Sequence, residues 1–253
     1  GTRILTAAHV IGDATDITVR TGDGRIRKAR LRASDRASDL ALLYVDDRLP
    51  PLEFAGDATA GAPVCAVGNA FGLGLSMSCG VVSAVRRSGV GFNAIEDFVQ
   101  TDAAANPGMS GGALVDEEGR LAGVVTAIFT KNSDANIGVN FAVAAPLAKT
   151  VLEALDRTGG FRPLQSGMQL AALPVDNDGE LALLVRRVAA GSPAEKAGIV
   201  AGDRILTVGG RRVTKPGEAA AAFARLVAPA SVELGIVREG AALSVAVEFP
   251  AAP

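Results

Sequence analysis

Gln100-Thr101-Asp102-Ala103-Ala104-Ala105-Asn106-Pro107-Gly108-Met109-Ser110-Gly111-Gly112-Ala113-Leu114 is the stretch from which the rest of the chain is read. One serine, Ser110, stands among small residues, with Gly108 two positions before it and Gly111 and Gly112 behind it. Glycines around a serine let the backbone turn tightly and bring N–H groups close to whatever the hydroxyl attacks. A glycine-rich surface turn has the same local composition, so the remaining sequence must separate the two.

Going outward, the first third of the chain is β-rich. Ile17–Arg20 alternates, Thr21-Gly22-Asp23-Gly24 is a turn signal, and Arg25–Leu31 fits a return strand. Leu40–Val45 is an apolar run of strand length, and Val64–Val67 and Gly80–Val85 flank the glycine-rich turn Asn69–Gly74. Phe98–Thr101, Leu114–Val115, Leu121–Thr126 and Val139–Val143 continue the pattern. The first convincing helix is Pro146–Leu155, with Leu147, Val151, Leu152 and Leu155 at helical spacing. A linker over 159–165 then leads to a smaller unit over 166–250. That unit has expected strands at Leu181–Val188, Arg204–Val208, Val232–Val237 and Leu243–Phe249, and an alanine-rich helix at Pro216–Leu226.

Composition excludes several classes. Twenty-five Lys and Arg against 27 Asp and Glu leave a net charge of −2, so no field draws nucleic acid. No apolar run reaches the roughly 18 residues that a membrane helix needs. No metal site or cofactor motif is present: Cys65 and Cys79 are the only cysteines and cannot build a zinc centre alone. They face each other across an expected hairpin, so a disulfide is one reading. Two buried free thiols are the preferred one, because a core this large needs no staple.

His9, in Thr6-Ala7-Ala8-His9-Val10, is the only histidine and the natural general base near neutral pH. Asp39 precedes the apolar run Leu40–Val45, a usual place for a strand-start residue and also a place from which to orient an imidazole. Histidine, aspartate and serine in this order within a β-rich domain give the chymotrypsin-type arrangement. Ser110 needs a base to take its proton, His9 supplies it, and Asp39 fixes the tautomer.

These segments resemble the HtrA/Deg serine proteases. Leu5–Val10 matches the family's histidine motif, Ser38–Leu43 its aspartate motif and Thr101–Leu114 its serine motif. Gly68–Gly74 is similar to its Gly-Asn-Pro-Phe-Gly turn, and Ile137–Val143 to its closing substrate-pocket strand. Gly191–Ile199, Ala201–Leu206 and Val208–Gly210 resemble a PDZ domain. The resemblance implies a mainly β protein: a chymotrypsin-like double β-barrel protease domain over 1–158, then an α+β PDZ domain over 166–250. It also implies an N-terminal strand or two and a trimerisation segment that are missing ahead of His9, so the first barrel is expected to show an open edge.

By the same resemblance, His9, Asp39 and Ser110 form the triad, and the Gly108 and Ser110 N–H groups form the oxyanion hole. Ala105, Ile128 and Phe141 line S1, and Gln165, Ser166, Gly167 and Met168 hold a peptide carboxylate. Three positions depart from the family pattern: Met109 where it has Asn, Ala105 where it has a larger aliphatic residue, and Ser166 where it has a bulky apolar one. The implied activity is a serine endopeptidase of protein quality control. It would cut misfolded or unstructured polypeptides, recruit C-terminal peptides through the PDZ domain, and work as a periplasmic homotrimer without cofactors. A catalytically silent chaperone or peptide-binding scaffold is the alternative, and a regulatory protease with one membrane-protein substrate is a third reading.

Overall fold

The computed structural model describes residues 2–128, 137–173 and 181–251. Two compact units divide the chain, Gly1–Phe161 and Arg162–Pro253.

The first unit begins with strand β1 (Thr2–Ala7), which runs directly into the one-turn helix α1 (Ala8–Ile11). Strands β2 (Ile17–Arg20), β3 (Ile26–Asp35) and β4 (Leu40–Val45) follow, and the four pair antiparallel in the order β1-β4-β3-β2. β4 lies inside this sheet, and its run Leu40–Leu43 is buried throughout. That position explains why it is an unbroken apolar run rather than an alternating one. Strands β5 (Pro63–Gly68), β6 (Ser76–Arg87), β7 (Phe98–Thr101), β8 (Ala113–Val115), β9 (Leu121–Ile128) and β10 (Asn140–Ala144) close a six-stranded barrel. Helix α2 (Ala145–Thr158) packs Leu147, Val151 and Leu155 against both the first sheet and the barrel. Pro146 fits its first turn, and Gly159 ends it in the left-handed conformation.

The thiol expectation is corrected. Cys65 and Cys79 are directly opposed on β5 and β6 and form a disulfide. Strand alternation is the reason: Val64 and Ala66 face the barrel core, so Cys65 faces outward, and Cys79 is exposed beside it. No pair of buried thiols exists to be kept reduced.

The second unit is a six-stranded sheet. Its strands β11 (Met168–Ala172), β12 (Leu183–Val188), β13 (Arg204–Val208), β15 (Ala230–Arg238) and β16 (Ala241–Phe249) stand in that order, and the two-residue β14 (Arg211–Arg212) pairs with β13. Helices α3 (Pro193–Lys196) and α4 (Pro216–Ala224) complete it. Leu183, Ile205, Leu234, Ile236 and Phe223 fill its core. β1, α1, α3 and β11 were absent from the sequence expectations; each is short or holds polar residues that hide its period.

Asp203 is a buried charge in this core, held by Arg238 through two 2.7 Å bonds and by the Val200 N–H at 2.9 Å. The Arg238 guanidinium is the main reason its carboxyl sits below the ordinary carboxylate range. A depressed pKa stabilises the fold fully above the unfolded value of about 3.9, and that stability is lost as pH falls through the folded value. Arg238→Ala, which leaves the buried Asp203 carboxylate without its cation, is therefore expected to destabilise the second unit at pH 7. The difference from wild type should begin to shrink below about pH 3.9, where the unfolded chain takes up the proton, and go on shrinking as pH falls through the lower value of the folded wild type. Hydrogen exchange of β13 and β15 amides in the full chain measures both. In the barrel, the disulfide closes a loop with sequence separation 14. Replacing both cysteines by alanine should cost about 2–3 kcal/mol of barrel stability, read by denaturant melts.

Candidate active site

Three elements bring the predicted residues together. α1 follows β1 without a connecting loop and lifts His9 above the first sheet. Asp39 stands at the entrance to β4 with φ +57°, a left-handed conformation that aspartate tolerates better than most side chains. From there it accepts the His9 backbone N–H at 2.9 Å on one oxygen and meets His9 Nδ1 at 2.7 Å with the other. The Thr126 hydroxyl of β9 donates to that second oxygen, and the Ala8 N–H donates to the Asp39 carbonyl at 3.0 Å. Asp39 is buried while the His9 ring stays half exposed, so the imidazole is fixed from beneath and reachable from above.

Ser110 lies on the loop between β7 and β8. Gly111 N–H donates to the Val125 carbonyl at 2.7 Å, which stitches this loop to β9. Gly111, at φ +81°, has no room for a side chain: a Cβ there would sit 2.1 Å from Thr6 Oγ1 of β1. The loop therefore presses directly on the strand that leads into α1 and His9. The Ser110 hydroxyl is directed at the Thr126 carbonyl at 3.4 Å, and among the described residues it makes no bond to His9.

The two expected oxyanion donors can be followed through their peptide planes. The Pro107 carbonyl accepts the Phe71 N–H at 2.7 Å, and the Met109 carbonyl accepts the Gly112 N–H at 2.9 Å. Carbonyl and N–H point in opposite directions across a trans peptide. The Gly108 and Ser110 N–H groups therefore point away from those partners, and neither donates to a protein acceptor among the described residues. Gly108 adopts φ +94°, and a Cβ on it would lie 2.5 Å from the Asn69 carbonyl. Glycine alone fits against the Asn69–Gly74 turn.

Met109 points into the barrel core beside Ala103, Ala105 and Leu114, away from His9. Ala105 is buried in the same cluster, whereas Phe141 stacks with Phe92 and Phe98 at 5.7 Å each, outside it. Ile128 ends β9 opposite Asn140, and its side chain lies outside the described residues. Residues that the sequence reading missed complete the surroundings. Thr126 braces Asp39, and Asn140, buried on β10, donates to the Ala103 carbonyl at 2.9 Å. A cleft of about 480 Å³ opens beside His9 and Asp39, with Arg36, Phe92 and Asn93 on its walls. Among the described residues, no group of three or more His, Cys, Asp or Glu could hold a metal ion.

In the second unit, β11 is an edge strand with α4 alongside it. Met168 and Leu170 of β11, with Ala222 and Leu226 on the helix side, are only partly buried. The Ser166 and Gly167 carbonyls accept the Ala194 and Ala189 N–H groups at 3.0 and 2.9 Å, which turns the Gly167 N–H outward. The Met168 N–H is already taken by the Ser166 hydroxyl at 3.3 Å.

Residues 1–124 match the family model of the trypsin-like peptidase domain, and 184–238 that of the PDZ domain. Two solved structures of the HtrA-type protease AlgW, with tripeptide and with decapeptide, are 33% and 34% identical to the chain. They superpose with TM-scores of 0.75 and 0.71, over 99% of this chain and 86% and 80% of theirs. The chain belongs to the HtrA/Deg family of serine proteases. Among curated relatives, the periplasmic pH-dependent serine endoprotease DegQ of Escherichia coli (strain K12) is 35% identical over 96% of this chain and 56% of its own length. A probable periplasmic serine endoprotease DegP-like of Rhizobium meliloti (strain 1021) is 36% identical over 99% of this chain and 51% of its own. This HtrA/Deg chain thus spans about half the length of the curated relatives it matches.

The family places Asn where this HtrA/Deg chain has Met109, and the burial of that side chain shows why the exchange leaves the loop's polar face alone. Gly108→Ala tests the neighbouring peptide. The added methyl group must push off the Asn69 carbonyl and rotate the 107–108 plane. Loss of one such donor costs about 2.7–4 kcal/mol, so kcat on a peptide substrate should fall about 10²–10³-fold with KM nearly unchanged.

Proposed function

We propose that the chain is a serine endopeptidase that cuts unstructured polypeptides through an acyl-enzyme. Ser110 is the nucleophile, His9 the base and Asp39 the group that orients it. The observation that carries this reading is the Asp39 carboxylate, which holds both the backbone N–H and Nδ1 of His9. A histidine bonded in this way presents Nε2 to solvent as a proton acceptor. Ser110 turns from the Thr126 carbonyl toward Nε2 and attacks the scissile carbonyl. The Gly108 and Ser110 N–H groups receive the negative charge that develops on its oxygen, without reorganising. His9 then gives the proton to the departing amine, and water repeats the sequence on the ester.

Ala105, Phe141 and Ile128 form the floor of S1 in this reading, and cleavage follows small or medium aliphatic residues. The free edge of β11 adds a peptide as a further strand, with α4 as the other wall and the Gly167 N–H directed at its C-terminal carboxylate. The chain acts in protein quality control, in the periplasm or another extracytoplasmic space, as a homotrimer. The names of the curated relatives support the location. So does the Cys65–Cys79 disulfide, because such bonds persist in oxidising compartments.

A fluorophosphonate probe tests the reading. It should label the wild-type chain at Ser110 and leave Ser110→Ala unlabelled, and casein cleavage should disappear with the label. A wild-type chain that neither reacts nor cleaves would instead be a silent chaperone or scaffold.

A further inference from the structure

Glu96 is a buried carboxylate to which the mechanism gives no task. Its Oε2 accepts the Val90 N–H at 2.7 Å. Its Oε1 accepts those of Gly91 and Phe92 at 2.7 Å and of Asn93 at 3.2 Å. Residues 88–97 join β6 to β7 and form no strand or helix. Four consecutive backbone donors converging on one anion set the shape of this loop, and charge-assisted bonds of this kind are the strong ones.

The loop then reaches across to the aspartate segment. Ile95 N–H donates to the Ala37 carbonyl at 2.8 Å, and Asn93 Nδ2 to the Ser38 carbonyl at 3.3 Å. These contacts clamp the two residues immediately before Asp39. Asp39 needs the clamp, because a non-glycine residue at positive φ persists only where its surroundings over-determine it. From the other side Asp35 accepts the Ser38 N–H and hydroxyl at 2.8 and 2.6 Å, so Ser38 is gripped at both ends of its peptide.

We propose that Glu96 is a positioning residue for the Asp39–His9 pair, acting through loop 88–97 on the Ala37–Asp39 backbone. This rests on the serine-protease reading for its effect on turnover, but not for its effect on the imidazole. A glutamine at position 96 keeps the shape but offers one acceptor oxygen and places an NH2 group against N–H donors. The loop then loosens, the hold on Ser38 weakens, and Asp39 drifts under His9.

His9 is the only histidine, so ¹⁵N-histidine labelling gives one imidazole spin system and no assignment problem. In Glu96→Gln, the Nδ1–H signal of the bond to Asp39 is expected to shift and broaden. The kcat and the rate of fluorophosphonate labelling should fall together about 10- to 100-fold, a loss typical of displaced catalytic geometry, with KM within about twofold. Asn93→Ala leaves the Glu96 anchor in place and removes only the bond to Ser38. It should shift the same imidazole signal and slow labelling about three- to tenfold. The double variant should be no slower than Glu96→Gln alone, because the two residues act in series. If Glu96→Gln fails to fold, Asn93→Ala decides the matter alone. An unchanged imidazole signal in the variants that fold overturns the proposal. An inactive wild type whose imidazole signal still moves in the variants retains the positioning role and overturns only the protease reading.

Discussion

Asp39 is the point at which the first unit holds together as a machine. One carboxylate collects the His9 N–H and Nδ1 from the first sheet and the Thr126 hydroxyl from the barrel, and the Asp39 carbonyl anchors Ala8. It does so from a left-handed backbone conformation that costs energy. The surrounding fold supplies what that conformation needs. β4 fixes the chain on one side, Ser38 is gripped by Asp35 and Asn93, and α2 packs the sheet and the barrel against each other. A buried charge with this many partners is expensive to misplace, so its position constrains everything above it.

The loop that carries Ser110 is constrained by contact rather than by charge. Gly111 admits Thr6, Gly108 admits the Asn69 carbonyl, and Met109 between them is driven into the barrel. The small residues that looked like a flexible turn are thus places where other backbone comes too close for a Cβ. The same packing turns the Pro107 and Met109 carbonyls toward the body of the protein and leaves the intervening N–H groups facing out. The outward direction of the Gly108 and Ser110 N–H groups is here the consequence of steric crowding on the far side of the loop.

How much of this was legible in the sequence follows from the same division. β4 was visible because burial on both faces makes Leu40–Val45 an unbroken apolar run, and α2 because one buried face sets Leu147, Val151 and Leu155 at helical spacing. His9 was visible because it is the only histidine, and Asp39 and Ser110 because each stands in a distinctive local segment and the three follow an informative order. Thr126, Asn93 and Asn140 were not, since each matters through one or a few bonds to a partner far away in sequence, and Glu96 was not, since no periodic pattern records a carboxylate that gathers the N–H groups of the irregular loop just before it. The Cys65–Cys79 bond was misjudged for a related reason. The size of the core argued against a staple, whereas alternation along β5 put both sulfurs outside that core and directly opposite each other.

The Ser110 hydroxyl bonded to the Thr126 carbonyl does not weaken the catalytic reading once its energy is compared with what opposes it. A neutral hydrogen bond of 3.4 Å is at the weak end of a class worth about 0.5–1.5 kcal/mol net. One oxyanion donor acting on a charged tetrahedral centre is worth about 2.7–4 kcal/mol. Rotation of a single side-chain bond is therefore a small debit against a hole whose donors are already free of protein acceptors. The Thr126 hydroxyl braces Asp39 while its carbonyl accepts from Ser110, so one residue of β9 touches both the aspartate and the serine of the proposed triad.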